Sequence, residues 1–225
     1  MSTSFLILAA GAGRRMGGIA KCLIEVEGVS LLQRLLRHIQ PLCAGPGDDC
    51  VIVLGHHAEA IRAHLAGLPA TFIPRCVINP DPGDDPASSL HAGLRALAPG
   101  VQRVVVLLAD QPLIDGDDLR AALRAYAARA TGIRALVPTV GGEPGHPVIF
   151  DASVRAQLLG PAAPSLRAWR TAYPQAVHRW VVDNPHYTRD LDTPADLDAL
   201  ARDTGWRWAW PGGRPCVVRP GAGAP

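Results

Sequence analysis

Short apolar segments of strand length alternate with longer segments of helical period along most of this chain. The run SFLILAA, Ser4 to Ala10, is continuously apolar, which is typical of a strand buried on both faces of a parallel sheet. RVVVLLAD at 103–110 is the strongest strand signal, and residues 30–42 place their leucines on one stripe of a helix that Pro41 ends. This alternation predicts an α/β fold with a mostly parallel, doubly wound sheet covered by helices.

The other segments follow the same rhythm. Pro74 weakens the strand TFIPRCVIN or places it at a sheet edge, and Ser88 or Ser89 is expected to cap the helix at 88–100. The acids that open the helix at 115–130 and the arginines that close it suit the helix dipole. Further strands are predicted at 50–55, 133–140, 146–150 and 178–182, and further helices at 57–67, 152–159, 165–173 and 193–204.

A change of composition divides the chain near its end. Residues 1–204 are predicted to form a single domain, which suits a chain of 225 residues. Residues 205–225 form a tryptophan-containing tail rich in proline and glycine. We expect Trp206, Trp208 and Trp210 to pack on the domain; a docking patch for a partner is the alternative.

Charge and cysteine content exclude several classes of function. Twenty-two basic against 20 acidic residues give a net charge of +2, which argues against broad binding to nucleic acid or to anionic membranes. The apolar N-terminal run has no basic region before it, and no run is long enough to span a bilayer. The five cysteines contain no C-x-x-C pair, so we predict neither a disulfide framework nor a zinc site, and expect a cytoplasmic protein.

The glycine-rich loop LAAGAGRRMGGIAK, Leu8 to Lys21, follows the first strand. Its glycines allow backbone N–H groups to converge on an anion at the carboxyl end of that strand. The spacing fits neither a P-loop nor a dinucleotide loop, because Lys21 is followed by Cys22 and Gly17 comes one residue late. Three cations within eight residues (Arg14, Arg15, Lys21) indicate a triphosphate and a departing pyrophosphate.

Lys21 is the only lysine in the chain, since the other 21 basic side chains are arginine. An ordinary solvated surface charge would explain most lysines. Here, however, every other basic position uses arginine, and an ammonium gives a compact point charge that a planar guanidinium does not reproduce. The pattern therefore favours phosphate binding by Lys21, with Arg15 beside it, although one of two adjacent arginines could simply face solvent.

Acidic residues follow the central strand and return late in the chain. Asp110 ends the strand RVVVLL, where it could form a turn or hold a divalent cation against phosphates. Asp190 and Asp192 alternate, so their side chains would diverge in a regular strand. The alternative is that Asp192 or Thr193 caps the next helix, with Pro194 as its first residue.

The loop LAAGAGRRMG…K resembles the signature loop of the MobA-like nucleotidyltransferases, which are related to the enzymes that finish the molybdenum cofactor. The resemblance extends in order over about residues 5–200. Its other motifs are SSLHAGL (88–94), LLADQPLI (107–114), GHPVIF (145–150) and DLDTPADL (190–197). It implies a Rossmann-like, GT-A-like nucleotidyltransferase fold with three layers.

The resemblance also implies a reaction and its residues. An acceptor phosphate would attack the α-phosphorus of a nucleoside triphosphate, with Arg15, Lys21 and Asp110 as catalytic residues and Mg²⁺ held by Asp110, Asp190 and Asp192. Gly145 and His146 would contact the acceptor, although His146 could equally be structural. The nucleotide would lie against Leu8, Ala9, Ala10, Gly11, Gly13, Arg15, Lys21, Ser89 and Gly93.

One residue of the loop bears on the nucleotide. Ala10 makes the sequence LAAG, which is similar to the branch that transfers cytidylyl groups to molybdopterin, whereas guanylyl-transferring relatives more often show LAGG. The expected substrates are therefore CTP and a molybdopterin-type acceptor, with a molybdoenzyme or its chaperone as a partner. The alternatives are GTP with molybdopterin, a nucleotide with another small phosphorylated acceptor, or a nucleotide-binding accessory protein for molybdoenzyme assembly.

Overall fold

The computed structural model describes residues 2–69, 72–83 and 86–215. Its strands are β1 (Thr3–Ala9), β2 (Glu25–Val26), β3 (Val29–Ser30), β4 (Asp49–Leu54), β5 (Arg75–Ile78), β6 (Arg103–Leu108), β7 (Ala135–Val140), β8 (Glu143–Pro144), β9 (Val148–Asp151), β10 (Val177–Val181), β11 (Trp208–Trp210) and β12 (Arg214–Pro215). Its α-helices are α1 (Leu31–Ile39), α2 (Ala58–Ala66), α3 (Ala87–Ala96), α4 (Gly116–Ala127), α5 (Ala152–Leu158), α6 (Leu166–Ala172) and α7 (Pro194–Thr204). None of these helices is both long and apolar enough to cross a bilayer.

The main sheet confirms the predicted doubly wound architecture. Its strand order is β10-β7-β9-β6-β1-β4-β5, with β8 paired to β7. Strand β1 pairs in parallel with both β4 and β6, and β5 lies at the edge, as Pro74 indicated. Strand β9 runs antiparallel to β6 and β7, because the short connection through β8 turns the chain back without a crossover helix. The carboxyl ends of β1, β4 and β6 therefore meet at one edge.

Helices cover both faces of this sheet and make three layers. On one face Phe5 and Ile7 of β1 belong to an apolar cluster with α1 and α4, and on the other Leu6 packs with α3, α5 and α6. The strict alternation along β1 places every second side chain on the opposite face. Because both faces are covered, β1 and β6 read as continuous apolar runs.

A second sheet was not foreseen from the sequence. Its order is β12-β11-β2-β3, and β2 and β3 form a hairpin whose turn residues, Glu27 and Gly28, both have positive φ angles of 50° and 76°. Trp208 lies in β11, pairs with Val26 and is buried. The tail thus packs on the domain as expected over residues 206–210, whereas residues 216–225 lie outside the described residues. The boundary at 204/205 stays a prediction.

The start of α7 agrees with the sequence prediction, whereas the start of α3 does not. Thr193, rather than Asp192, caps α7: its hydroxyl accepts a hydrogen bond from the Asp196 N–H, and Pro194 is the first helical residue. The prediction that Ser88 or Ser89 caps α3 was wrong, since the helix begins earlier, at Ala87. The Asn79 amide instead donates to both serine hydroxyls at 3.0 Å, which ties α3 to the end of β5.

Candidate functional site

A cleft of about 620 Å³ opens at the carboxyl ends of β1 and β6. This volume lies within the range typical of small-molecule sites, and the position is where parallel sheets present ligands. The glycine loop forms one wall and the late acidic segment another. The cleft is lined by Leu8, Ala10, Gly11, Ala12, Gly13, Arg14, Arg15, Lys21, Gly83, Pro86, Ser89, Leu108, Asp110, Asp190 and Asp192.

The glycine loop closes on itself through a single helical turn at Arg14–Met16. Gly13 has a φ angle of 61°, and a Cβ atom there would lie 2.0 Å from the carbonyl oxygen of Ile19. The Gly18 N–H donates to the Gly13 carbonyl at 2.9 Å. Only glycine fits position 13, and contacts within the loop itself fix its conformation.

Two histidines that the sequence analysis did not place in the site hold this loop. A ring nitrogen of His56 lies 3.1 Å from the Ala10 carbonyl oxygen, and one of His57 lies 3.0 Å from that of Ala12. Both follow β4, which pairs with β1, so they stand at the same sheet edge as the loop. Their place directly after the apolar run at 50–55 was the signal available in the sequence, because the carboxyl ends of parallel strands lie at one sheet edge.

We expect His57→Ala to raise the KM for the nucleotide about fivefold, because one hydrogen bond that orders the loop is lost. The thermal unfolding midpoint should change little, since the histidine is half-buried at the loop surface. Steady-state kinetics with varied nucleotide measure this effect. An unchanged KM would show that the loop keeps its conformation without His57.

Lys21 joins the loop to two acidic segments distant in the sequence. Its ammonium donates to Asp110 and, at 3.1 Å, to Oδ1 of Asp192, while the Arg15 guanidinium donates to Oδ2 of Asp192 at 2.9 Å. Burial lowers the pKa of Lys21, but Asp110 and Asp192 outweigh that effect and the net pKa is raised. The side chains of Lys21 and Asp110 are only 17% and 19% exposed, so this pair is protected from solvent. The structure thus brings together the loop, strand end and late motif that the sequence singled out.

Asp190 and Asp192 both line the cleft, which a regular strand would not allow. The segment at 189–193 is not a strand, and the Leu191 N–H donates to the Asp110 carbonyl at 3.0 Å. Leu191 points into the core, so the two carboxylates flank it at the cleft. Desolvation in the cleft and then the charges of Asp110 and Asp192 raise the pKa of Asp190 to about 6. Three carboxylates therefore crowd one end of the cleft.

The remaining predicted nucleotide contacts divide into two groups. Leu8, Ala10 and Ser89 line the cleft, and Ala9 lines a small adjoining pocket together with Lys21 and Asp110. Gly93 is not brought to the cleft. A Cβ atom at Gly93 would lie 2.5 Å from Leu6 and 2.7 Å from Val53, so this glycine lets α3 approach the sheet.

The two residues predicted to bind the acceptor, Gly145 and His146, lie in different surroundings. Gly145 is buried against the backbone of Tyr187, where a Cβ atom would lie 2.2 Å from the carbonyl oxygen. His146 lines a pocket of about 420 Å³ that shares Leu8, Pro86 and Leu108 with the cleft. Desolvation, reinforced by Arg170, lowers the pKa of His146 to about 4, so its imidazole is neutral near pH 7.

A second acidic cluster, absent from the sequence analysis, lies at the start of α4. Ligand atoms of Asp115, Asp118 and His186 lie within 4.8 Å of one another. Asp115 accepts the N–H groups of the first turn, and Asp118 accepts hydrogen bonds from Asn184 at 2.6 Å and His186 at 2.8 Å. These contacts account for the cluster as a helix cap that anchors the segment after β10.

Comparison with known proteins places this geometry in a family. Residues 5–184 match the family model described as the MobA-like NTP transferase domain. The chain is 30% identical over 212 residues to the molybdenum cofactor guanylyltransferase of Nitrobacter hamburgensis. This alignment covers 88% of the chain and 94% of the relative.

Solved structures share the fold. Rv0371c from Mycobacterium tuberculosis H37Rv superposes with a TM-score of 0.68 at 22% identity, covering 89% of this chain and 97% of that one. The 4-diphosphocytidyl-2C-methyl-D-erythritol synthase of Anaerococcus prevotii gives a TM-score of 0.65 at 16% identity, covering 87% and 94%. Because the family model spans most of the chain, this protein belongs to the MobA-like NTP transferase family and is a nucleotidyltransferase of that type.

Proposed function

We propose that this protein transfers a cytidylyl group from CTP to the phosphate of a molybdopterin-type acceptor and releases pyrophosphate, with Mg²⁺ as its metal. The observation that carries the proposal is the meeting of Lys21 with Asp110 and Asp192 inside one cleft. The cation suits the triphosphate and the carboxylates suit a divalent metal that shares the same phosphates. The product would pass to a molybdoenzyme or its chaperone.

The acidic end of the cleft fits Mg²⁺ in the chemistry of its donors. Asp110, Asp190 and Asp192 offer carboxylate oxygens, the ligands this ion prefers. Desolvation and then repulsion by Asp110 and Asp192 raise the pKa of Asp190, and a bound cation would relieve that repulsion. When bound, Mg²⁺ would neutralise charge on the phosphate oxygens.

The residues of the chain supply alignment and charge rather than a nucleophile. Arg15 is 69% exposed and Lys21 has a flexible stem, so both can exchange the Asp192 carboxylate for phosphate oxygens. The glycine loop offers backbone N–H groups to the same phosphates. Desolvation, together with Asp110, raises the pKa of the buried Cys22 thiol to about 12, which keeps it protonated. An acceptor phosphate is already anionic near neutral pH and attacks without covalent catalysis.

Ala10 supports CTP as the nucleotide. Ala10 lines the cleft, and a Cβ atom built on the neighbouring Gly55 would lie 2.8 Å from the Cβ atoms of both Ala10 and Pro82. The packing beneath the loop is therefore tight at this point. GTP is the second candidate, since the relative from Nitrobacter hamburgensis is named a guanylyltransferase.

We expect Ala10→Gly to lower the ratio of kcat/KM for CTP to that for GTP about tenfold, because removing one methyl group makes room for the larger base. The measurement is pyrophosphate release with each nucleotide under identical conditions. Ala176→Gly is a matched control, since that alanine is as buried as Ala10 but lies outside the cleft, just before β10. An unchanged ratio would show that Ala10 does not select CTP over GTP.

The function is tested by offering each of the four nucleoside triphosphates with Mg²⁺ and molybdopterin to the purified protein. Pyrophosphate release with CTP above all others is the expected result. Preference for GTP would transfer the proposal to guanylyl transfer. Tight nucleotide binding without pyrophosphate release would favour the accessory protein.

A further inference from the structure

A third pocket, of about 170 Å³, lies between α6 and the outer strands β7 and β10. Its walls include Arg167 and Arg170 from α6 and Arg179 from β10. The two arginines of α6 are three residues apart and so share one helix face. Arg179 pairs in register with Val137 of β7, which also lines the pocket. Three guanidinium groups thus converge from two elements.

These arginines lack acidic partners within residues 2–69, 72–83 and 86–215. Arg15, Arg75 and Arg207, by contrast, each form an ion pair with a carboxylate. No ion pair or side-chain hydrogen bond is found there for Arg167, Arg170 or Arg179. Desolvation and then the charges of Arg179 and Arg167 lower the pKa of Arg170, and no carboxylate counters them. Such a cluster is stabilised by an anion.

The arginine pocket continues into the proposed active site. Arg167 and Arg170 also line the pocket of His146, and that pocket in turn shares Leu8, Pro86 and Leu108 with the nucleotide cleft. A single groove therefore runs from the glycine loop, past His146, to the three arginines. A ligand whose phosphate reaches the cleft can extend along it.

We propose that Arg167, Arg170 and Arg179 bind a second anionic group of the acceptor, at the end remote from the phosphate that reacts. This inference rests on the proposed function, because it assigns the acceptor a place in the groove. It predicts an acceptor with two separated negative charges. A neutral distal group would leave the three guanidinium groups uncompensated.

The kinetic test compares Arg179→Gln and Arg170→Gln with Arg95→Gln, an exposed arginine of α3 outside these pockets. With molybdopterin as acceptor, the first two should raise the acceptor KM roughly tenfold each and leave the nucleotide KM unchanged, since a charge-assisted hydrogen bond is lost. Arg95→Gln should change neither constant. Circular dichroism checks that each variant is folded. Because Arg179 is exposed, Arg179→Gln can still be measured if Arg170→Gln unfolds. An unchanged acceptor KM in a folded, active Arg179→Gln variant overturns the inference while the proposed function stands.

A second measurement does not need turnover. Phenylglyoxal modifies accessible arginines, and mass spectrometry reports the rate at each one. Inorganic phosphate should slow modification of Arg167 and Arg179 but not of Arg95. If the wild type releases no pyrophosphate with any nucleotide, the proposed function fails. The effect of phosphate on the modification rates of Arg167 and Arg179 then decides the inference by itself. Equal rates with and without phosphate would overturn it.

Discussion

Lys21→Ala is expected to lower kcat for pyrophosphate release by about a hundredfold to a thousandfold, the usual cost of removing one preorganised donor to a developing charge. The ammonium forms ion pairs with Asp110 and Asp192. With nucleotide bound, the same group would hold phosphate oxygens whose charge grows as pyrophosphate leaves. The effect should therefore fall on kcat as well as on nucleotide KM. Single-turnover measurement of pyrophosphate release with saturating nucleotide isolates the chemical step.

Lys21→Arg is the matched variant. It keeps the charge, so folding and the ion pair with Asp110 should survive. A planar guanidinium does not match the position of the compact ammonium, so we expect only partial recovery of kcat. Arg202→Ala, an exposed cation of α7, controls for loss of one positive charge. A wild-type kcat in the Lys21→Ala variant would show that this lysine takes no part in the reaction.

Asp110→Asn is expected to lower kcat by about a thousandfold, because a neutral amide is a poor ligand for a divalent cation and the phosphates lose that charge stabilisation. Asp110 lies two residues after the end of β6, and its side chain is only 19% exposed. The Mg²⁺ concentration for half-maximal activity should rise in parallel. Titration of Mg²⁺ at fixed CTP and molybdopterin measures both quantities.

Asp117→Asn provides the control for this second prediction. Asp117 lies in the first turn of α4, is largely exposed and pairs with Arg120 outside the cleft. Its loss should leave kcat and the Mg²⁺ dependence unchanged. A separate titration with Mn²⁺, followed by its electron paramagnetic resonance signal, tests metal binding without turnover. Equal Mn²⁺ affinity in Asp110→Asn and wild type would contradict the assignment of Asp110 as a ligand.

Much of the fold could be predicted from the local pattern of apolar and polar residues. Continuous apolar runs identified β1, β4 and β6, because strands buried on both faces carry no polar alternation. The second sheet escaped notice because β2, β3 and β12 contain two residues each, too few for any periodicity. The tryptophans of β11 stood out by composition, yet only their pairing with β2 showed what they cover.

The candidate site was partly readable for a similar reason. Glycines and a single lysine mark the loop by residue type alone, since a preformed turn needs particular φ angles and a phosphate needs a particular cation. Gly93 and Gly145 were expected to contact ligands, but Gly93 lies close to the side chains of Leu6 and Val53, and Gly145 lies close to the backbone of Tyr187. A glycine that admits a ligand and a glycine that admits a neighbouring element look the same in a sequence.

Local pattern determined the alternation of strands and helices, the preformed glycine loop and the unusual lysine, because burial and backbone conformation are set by neighbours along the chain. Only the tertiary structure decided which distant groups meet that lysine. Asp192 lies 171 residues from Lys21 in sequence, and His57 reaches the loop only because β4 lies beside β1. Strand order follows from packing of the whole domain, so contacts across a sheet edge cannot be deduced from any one segment.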